Sequence, residues 1–194
     1  MTIILGAWVH SRDIQTIWRR VHPTIPLTVY DDDPKFGCLP PTWMDSNLED
    51  LLLGMNSPHD RMKAAQRHHD LEAAEALVDP SVVLGENIDL GPGVVVAPNV
   101  LLLRDVQLGL HSHINYGVSM TRCTVGAFTT ISPGTTVCGE VTIGSCVSIS
   151  AGVTIANCVD IADDVTIGAG AVILPFTSIG PGEKWLGVPA RKVS

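Results

Sequence analysis

The sequence predicts a parallel β-helix preceded by a short α/β unit. The first observation is a ladder of aliphatic residues between Leu84 and Ile179, spaced six apart. Leu84, Leu90, Val96, Leu102, Leu108, Ile114 and Met120 share one register. Val125, Ile131, Val137, Ile143, Ile149, Ile155, Ile161, Ile167, Ile173 and Ile179 share a second. A helix spaces its apolar residues by 3.6 and an ordinary strand by 2, whereas a hexapeptide period belongs to the parallel β-helix. The second observation is the small residue that usually follows, as in Gly85, Gly91, Ala97, Gly109, Gly126, Gly144 and Gly168. The third is a strand–turn–helix–strand pattern ahead of the ladder, the mark of a βαβ unit.

Each hexad supplies one short strand and a corner, and three hexads close a triangular coil. No coil buries its own apolar face, so stacking builds the core. The small residue is expected to let the backbone turn tightly. Between Met120 and Val125 the step is five, so the turn Met120-Thr121-Arg122-Cys123-Thr124-Val125 is one residue short.

The ladder is assigned to residues 79–194 and the α/β unit to residues 1–78. Thr2 to Leu5 reads as a buried strand stopped by Gly6. Ile14, Ile17, Trp18 and Val21 follow at helical spacing, with Ser11 as the expected N-cap. Leu27 to Tyr30 is the second strand, ending at Asp31-Asp32-Asp33-Pro34. The turn after the first strand of such a unit is where phosphate binds. GxGxxG is absent, since Gly6-Ala7-Trp8-Val9-His10 holds one glycine. Asp31 and Asp32 at the strand end read either as a solvated turn or as partners of a ribose or base. His10, in the turn facing that edge, is a candidate for the same site. Ser57 caps a further helix with Pro58 at its first position, expected to run to about Leu77. His59, His68 and His69 read as surface residues, because adjacent histidines do not share a helix face, and no metal is expected.

Composition excludes several classes. Twelve basic against twenty acidic residues give a net charge of −8, which argues against a nucleic acid partner. The five cysteines, Cys38, Cys123, Cys138, Cys146 and Cys158, are odd in number and form no CxxC. They read as reduced thiols in a cytoplasmic protein. The first residues show neither a signal peptide nor, anywhere in the chain, an apolar run long enough to cross a membrane.

The ordered motifs carry a resemblance. Gly6-Ala7-Trp8-Val9-His10-Ser11 is similar to a GAGGHA-type turn, and Asp31-Asp32 to a strand ending in two aspartates. Gly54 with Arg61, Val78-Asp79-Pro80-Ser81, Ile114-Asn115, Cys123 to Phe128, Ile131-Ser132-Pro133-Gly134, Gly168 to Ile173 and Gly187 to Arg191 follow in order. Over almost its whole length the chain resembles the left-handed β-helix acyltransferases related to the sialic acid O-acetyltransferases and the bacterial nucleotide-sugar N-acetyltransferases. The resemblance implies a Rossmann-like first domain, a homotrimer, and acetyl-CoA as co-substrate in the groove between neighbouring β-helices. It also implies a sugar or sugar nucleotide as the acceptor. Gly6, His10, Asp31 and Asp32 match the nucleotide-sugar positions, Gly168, Ala169 and Gly170 the pantetheine positions, and Gly139 the oxyanion donor. Gly139 is expected to stack on Thr121, eighteen residues earlier.

The chain departs from the pattern at one place. Where the family carries His-Asp-Cys, this sequence reads Thr121-Arg122-Cys123. A threonine hydroxyl is no base near neutral pH and an arginine stays protonated. His111 and His113, on the preceding hexads, are the remaining β-helix histidines, and His113 is the substitute base candidate. Two readings stay open. One is an acyl-CoA-dependent acyltransferase acting on an amino or hydroxyl group of a sugar. The other is a catalytically impaired trimer that keeps the fold and the nucleotide-sugar pocket.

Overall fold

A computed structural model describes residues 2–6, 9–30, 50–70 and 72–193. The first part contains β1 (Thr2–Leu5), α1 (Val9–Val21), β2 (Thr28–Tyr30), β3 (Asp50–Leu53), α2 (Pro58–Arg67) and β4 (Glu72–Ala73). The strands form one parallel sheet in the order β2-β1-β3-β4. Helix α1 turns Ile14, Ile17 and Trp18 onto this sheet, where they are buried with Ile4 and Leu52. It starts two residues earlier than expected, so Ser11 is not its cap but a fully buried residue of the first turn. Ser57 does cap α2: its Oγ accepts from the Asp60 N–H at 3.3 Å, with Pro58 at the first helical position.

Helix α2 ends at Arg67 rather than near Leu77. Ala74 and Leu77 fit an apolar helix face by spacing, but sheet pairing takes them. Glu72–Ala73 extends the first sheet beside β3, and β5 (Leu77–Val78) is the first rung of the solenoid. His68, expected on the surface, is buried just beyond the last turn, where its N–H caps Ala64 O.

The solenoid continues through β6 (Val83–Leu90), β7 (Val95–Val96), β8 (Leu101–Leu108), β9 (His113–Ile114), β10 (Ser119–Met120), β11 (Cys123–Val125), β12 (Thr130–Ile131), β13 (Thr136–Val137) and β14 (Val141–Ile143). Two- and three-residue strands then carry it to Ser178–Ile179, and an antiparallel hairpin, Lys184–Gly187 with Ala190–Val193, closes the end. One sheet stacks β5, β7, β9 and β12 in parallel; the other two faces run together through β6 and β8. From Val96 onward the ladder residues point inward and are at most 3% exposed. The valines two positions earlier, such as Val94, Val100 and Val147, join them. Each such side chain contributes roughly 1.5–3 kcal/mol on burial. The first two ladder residues are less covered: Leu90 is partly buried and Leu84 half exposed, because no coil lies beyond them on that face.

The left-handed backbone turns are not made by the small residues after the aliphatics. They fall on a separate six-residue series: Gly93, Asn99, Asp105, His111 and Gly117, then Arg122, Phe128, Gly134, Glu140 and Cys146, all at positive φ. The small residues serve coil-to-coil approach instead. A Cβ on Gly126 would lie 2.6 Å from Ser145 N of the next coil.

The short step is visible in both series. Ser119 pairs with Thr136 and Val106 with Cys123, 17 apart, whereas Cys123 pairs with Val141, 18 apart. Met120 stacks on Val137, and the Glu140 N–H donates to Arg122 O at 2.7 Å. Met120-Thr121-Arg122 therefore spans what Val137-Cys138-Gly139-Glu140 spans above it. Gly139 has no single partner at Thr121.

Two glycines test the division of labour. Gly134 lies at φ +69 with open space around its Cα, and Gly126 is closed in by backbone. Gly134→Ala is expected to cost about 1–2 kcal/mol, the ordinary left-handed penalty. Gly126→Ala is expected to cost more, roughly 3 kcal/mol, as for other overpacking. Urea denaturation of both variants reads the order; equal costs would contradict it.

Candidate active site

The first part of the chain docks on one corner of the solenoid, and Arg61 is the centre of the joint. Its side chain is fully buried. Nε donates to His111 O (3.1 Å), Nη1 to Met55 O (2.9 Å) and Asn56 O (3.0 Å), and Nη2 to Phe128 O (2.6 Å) and Thr130 Oγ1 (2.8 Å). All five partners are neutral oxygens. Burial pushes its pKa down to about 9, so it remains a cation at neutral pH. Two further contacts tie the parts together. Arg20 Nη1 stands 2.8 Å from the buried Asp79 Oδ2, and Leu77, Val95 and Ala97 share a core with Ile4, Ile14 and Ile17. Gly54 permits the approach of the two strand-to-helix turns, since a Cβ there would meet Ser11 Cβ at 2.8 Å and Gly6 O at 2.9 Å.

This joint brings His10 and His113 together across 103 positions of sequence. His10 Nε2 and His113 Nδ1 are 2.9 Å apart, and the ring centroids 5.1 Å. His113 Nε2 is buried without a partner. A bare acceptor is less costly there than an orphaned N–H, so the favoured tautomer has His113 Nδ1–H donating to His10 Nε2. That leaves an N–H on His10 Nδ1, 4.0 Å from Asp13 Oδ2. Burial first, then the Arg61 charge, holds the His10 pKa down at about 4. The same two causes lower His111 to about 4 and hold His113 well below the usual histidine range.

His10 opens onto a cleft of about 560 Å³ at the joint, lined also by Asp13, Asn56, Asp60, Asn115, Tyr116 and Ser132. His113 stands behind it, 1% exposed. A base must reach the proton it removes, and His113 is screened by His10. His111 is buried too, and stacks on Phe128 with ring centroids 5.5 Å apart. Asn115, Ser132 and Pro133 reach the cleft from the motifs Ile114-Asn115 and Ile131-Ser132-Pro133-Gly134, which the sequence displayed without a role.

Thr121, Arg122 and Gly139 meet elsewhere. Arg122 Nε pairs with Glu140 Oε1 at 3.1 Å, both side chains being largely exposed. The guanidinium lies over Gly139, with Cζ 2.9 Å from where a Cβ would stand. This turn borders a second, polar cleft of about 600 Å³, lined by Asp89, Asp105, Gln107, Arg122, Thr124 and Glu140 among others. Gly168, Ala169 and Gly170 lie on later coils and line neither cleft. Gly6 takes φ +105 against Gly54 and Met55. Asp31, Asp32 and Cys38 lie outside the described residues. The other four cysteines are free thiols, with Cys123 and Cys146 buried. Among the described residues no helix is long and apolar enough to cross a membrane.

The buried histidines set a pH dependence. Their folded pKa values lie below 6.5, so their stabilising contribution is complete above pH 6.5 and is lost as pH falls toward the folded values. From pH 7 to 5 the unfolded chain alone takes up these protons, at a cost of about 2 kcal/mol per histidine. The urea midpoint is expected to fall over this window. It is expected to fall less in His10→Asn, by about one histidine's share. A midpoint that stays level from pH 7 to 5 would contradict the neutral pair.

Comparison with known proteins finds likeness in structure alone. No protein-family model and no curated protein matches the sequence. A variant of perosamine N-acetyltransferase from Caulobacter crescentus, solved in complex with CoA and GDP-perosamine, is 22% identical with a TM-score of 0.89, over 100% of this chain and 96% of that one. The acetyltransferase domain of PglB from Neisseria gonorrhoeae, in complex with acetyl coenzyme A, is 22% identical with a TM-score of 0.79, over 99% and 98% of the two chains. WeeI from Acinetobacter baumannii is 17% identical with a TM-score of 0.76, over 100% and 99%. At these identities the likeness establishes the fold: a β-solenoid that matches the left-handed β-helix of these proteins, with the α/β unit ahead of it included in the match.

Proposed function

We propose that the protein is an acyl-CoA-dependent acyltransferase acting on an amino or hydroxyl group of a nucleotide-linked sugar. The observation that carries this reading is the end-to-end fold match to a perosamine N-acetyltransferase solved with CoA and GDP-perosamine, with a cleft at the joint of the two parts. Residues 1–78 act as a Rossmann-like nucleotide-sugar domain and 79–194 as the acyltransferase β-helix. Gly6, His10, Asp31 and Asp32 hold the sugar nucleotide. The His10 Nδ1–H, with its tautomer set by His113, donates to an oxygen of that ligand. Acyl-CoA lies along the β-helix at Gly168, Ala169 and Gly170, and the Gly139 N–H receives the developing oxyanion. The working form is a cytoplasmic homotrimer; the exposed Val83, Leu84, Leu101 and Leu103 on adjoining strands favour self-association.

One specific observation favours a second reading. The position of the family's base is taken by Thr121, and Arg122 is spent on Glu140 above Gly139. With no proton acceptor there, transfer would depend on an amine that arrives deprotonated, and the protein would serve mainly as a sugar-nucleotide-binding trimer.

A thiol-release assay with acetyl-CoA and a panel of UDP- and GDP-linked amino sugars separates the two. Turnover with one of these acceptors, lowered at least tenfold in His10→Ala through KM, is the expected result. A raised melting temperature with sugar nucleotide but no thiol release would establish the second reading. Neither binding nor turnover would overturn both. Because the coil is one residue short, Thr121→His with Arg122→Asp is expected to leave turnover near the unsubstituted level. Adding one residue between positions 121 and 122 in that variant is expected to raise it.

A further inference from the structure

Helix α2 runs along the corner column of the solenoid formed by His111, Phe128, Cys146 and Asp164, each at positive φ and spaced by one coil. Arg61 accounts for the contact with the earlier two coils. The contact with the later two brings together three different metal-ligand types from three separate stretches. His59 Nε2 lies 3.1 Å from Asp164 Oδ1. Cys146 Sγ completes the group, with all three ligand atoms within 4.8 Å of one another. One turn along α2, Met62 Sδ lies 3.6 Å from Cys146 Sγ.

We propose that His59, Cys146 and Asp164 form a site for a zinc-class divalent cation that staples the start of α2 to two successive coils. One nitrogen, one sulfur and one carboxylate oxygen match the donors that zinc takes, and a tetrahedral ion with bonds of about 2.0–2.3 Å holds its ligands roughly 3.5 Å apart. The ligand atoms have at most 4.8 Å to close from, and the His59 and Asp164 side chains are half exposed. Their exposure also leaves a path for the ion and a fourth position for water. Cys146 supplies the buried floor. Asp163 lies alongside, its Oδ1 fixed by the Ser145 N–H at 2.7 Å, and adds negative charge to the corner. Burial first, then the Asp164 and Asp163 carboxylates, hold the Cys146 thiol above its ordinary pKa against the Arg61 charge. Binding forms the metal–sulfur bond as the S–H proton leaves to solvent. Affinity consequently rises with pH.

The site reaches the cleft of the joint through α2. Ser57 and Asp60, which flank His59, line that cleft. A cation at His59 would fix the cleft wall from outside, without touching anything bound within. This inference does not depend on the acyltransferase reading, and its test uses no substrate.

The test is titration of the full chain with Co²⁺ and with Zn²⁺ alone. With Co²⁺, one equivalent is expected to bind with a thiolate-to-cobalt charge-transfer band that Zn²⁺ bleaches. That band is expected to vanish in Cys146→Ser, and the affinity to drop at least tenfold in His59→Gln and in Asp164→Asn. Zn²⁺ is expected to raise the melting temperature of the unsubstituted protein and not that of Cys146→Ser. All three variants keep the Arg61 joint, and circular dichroism checks that they fold. Absence of the charge-transfer band, or a band that persists in folded Cys146→Ser, would overturn the site and leave an ion pair beside a buried thiol.

Discussion

The buried guanidinium of Arg61 is the interaction on which the candidate site depends. Its side chain bonds both to the turn before α2, at Met55 and Asn56, and to the solenoid backbone at His111 and Phe128. A planar fork with five donors suits this arrangement, and a lysine would not fill it. The five neutral oxygens would each lose a partner if the side chain were removed, and buried acceptors left bare are costly. The same charge, with burial, keeps His10, His111 and His113 neutral. One residue thus places the cleft wall and adds its charge to the burial that keeps the histidines behind it neutral.

Besides the cleft at the joint, the solenoid carries a second cleft away from it. The joint cleft has an ordered histidine pair and residues from both parts of the chain. The second cleft lies over the coil that lost a residue, and its Arg122 is held by Glu140. On the proposed reading, the recognition side is built with buried, oriented groups, whereas the position proposed for a base carries a salt-bridged arginine on a shortened turn.

Much of the solenoid was legible in the sequence because one physical requirement, an inward aliphatic residue at every rung, repeats without exception from Val96 to Ile179. The five-residue step marks the short coil in the sequence itself. The left-handed corners were not legible: they fall on Asn, Asp, His, Arg, Phe, Glu and Cys as well as Gly, because stacking of the coils fixes the backbone whatever the side chain. The end of α2 was misplaced for a related reason, since Leu77 satisfies helical spacing but gains more from pairing beside Val95. The histidine pair was hidden by distance. His10 and His113 were each visible as candidates, yet nothing local connects them, and the Arg61 that joins their elements showed only as one residue of a motif.

Hydrogen exchange on Arg61→Met tests the central claim most directly. If Arg61 holds the joint, the amides of Ala64 to Arg67 and of His113 to Asn115 should exchange on the order of 100-fold faster, the kinetic equivalent of about 3 kcal/mol of local opening. The amides of Ile149, Ile155 and Ile167, deep in the solenoid, should keep their protection. Unchanged exchange in α2, or an equal loss along the whole chain, would contradict the account.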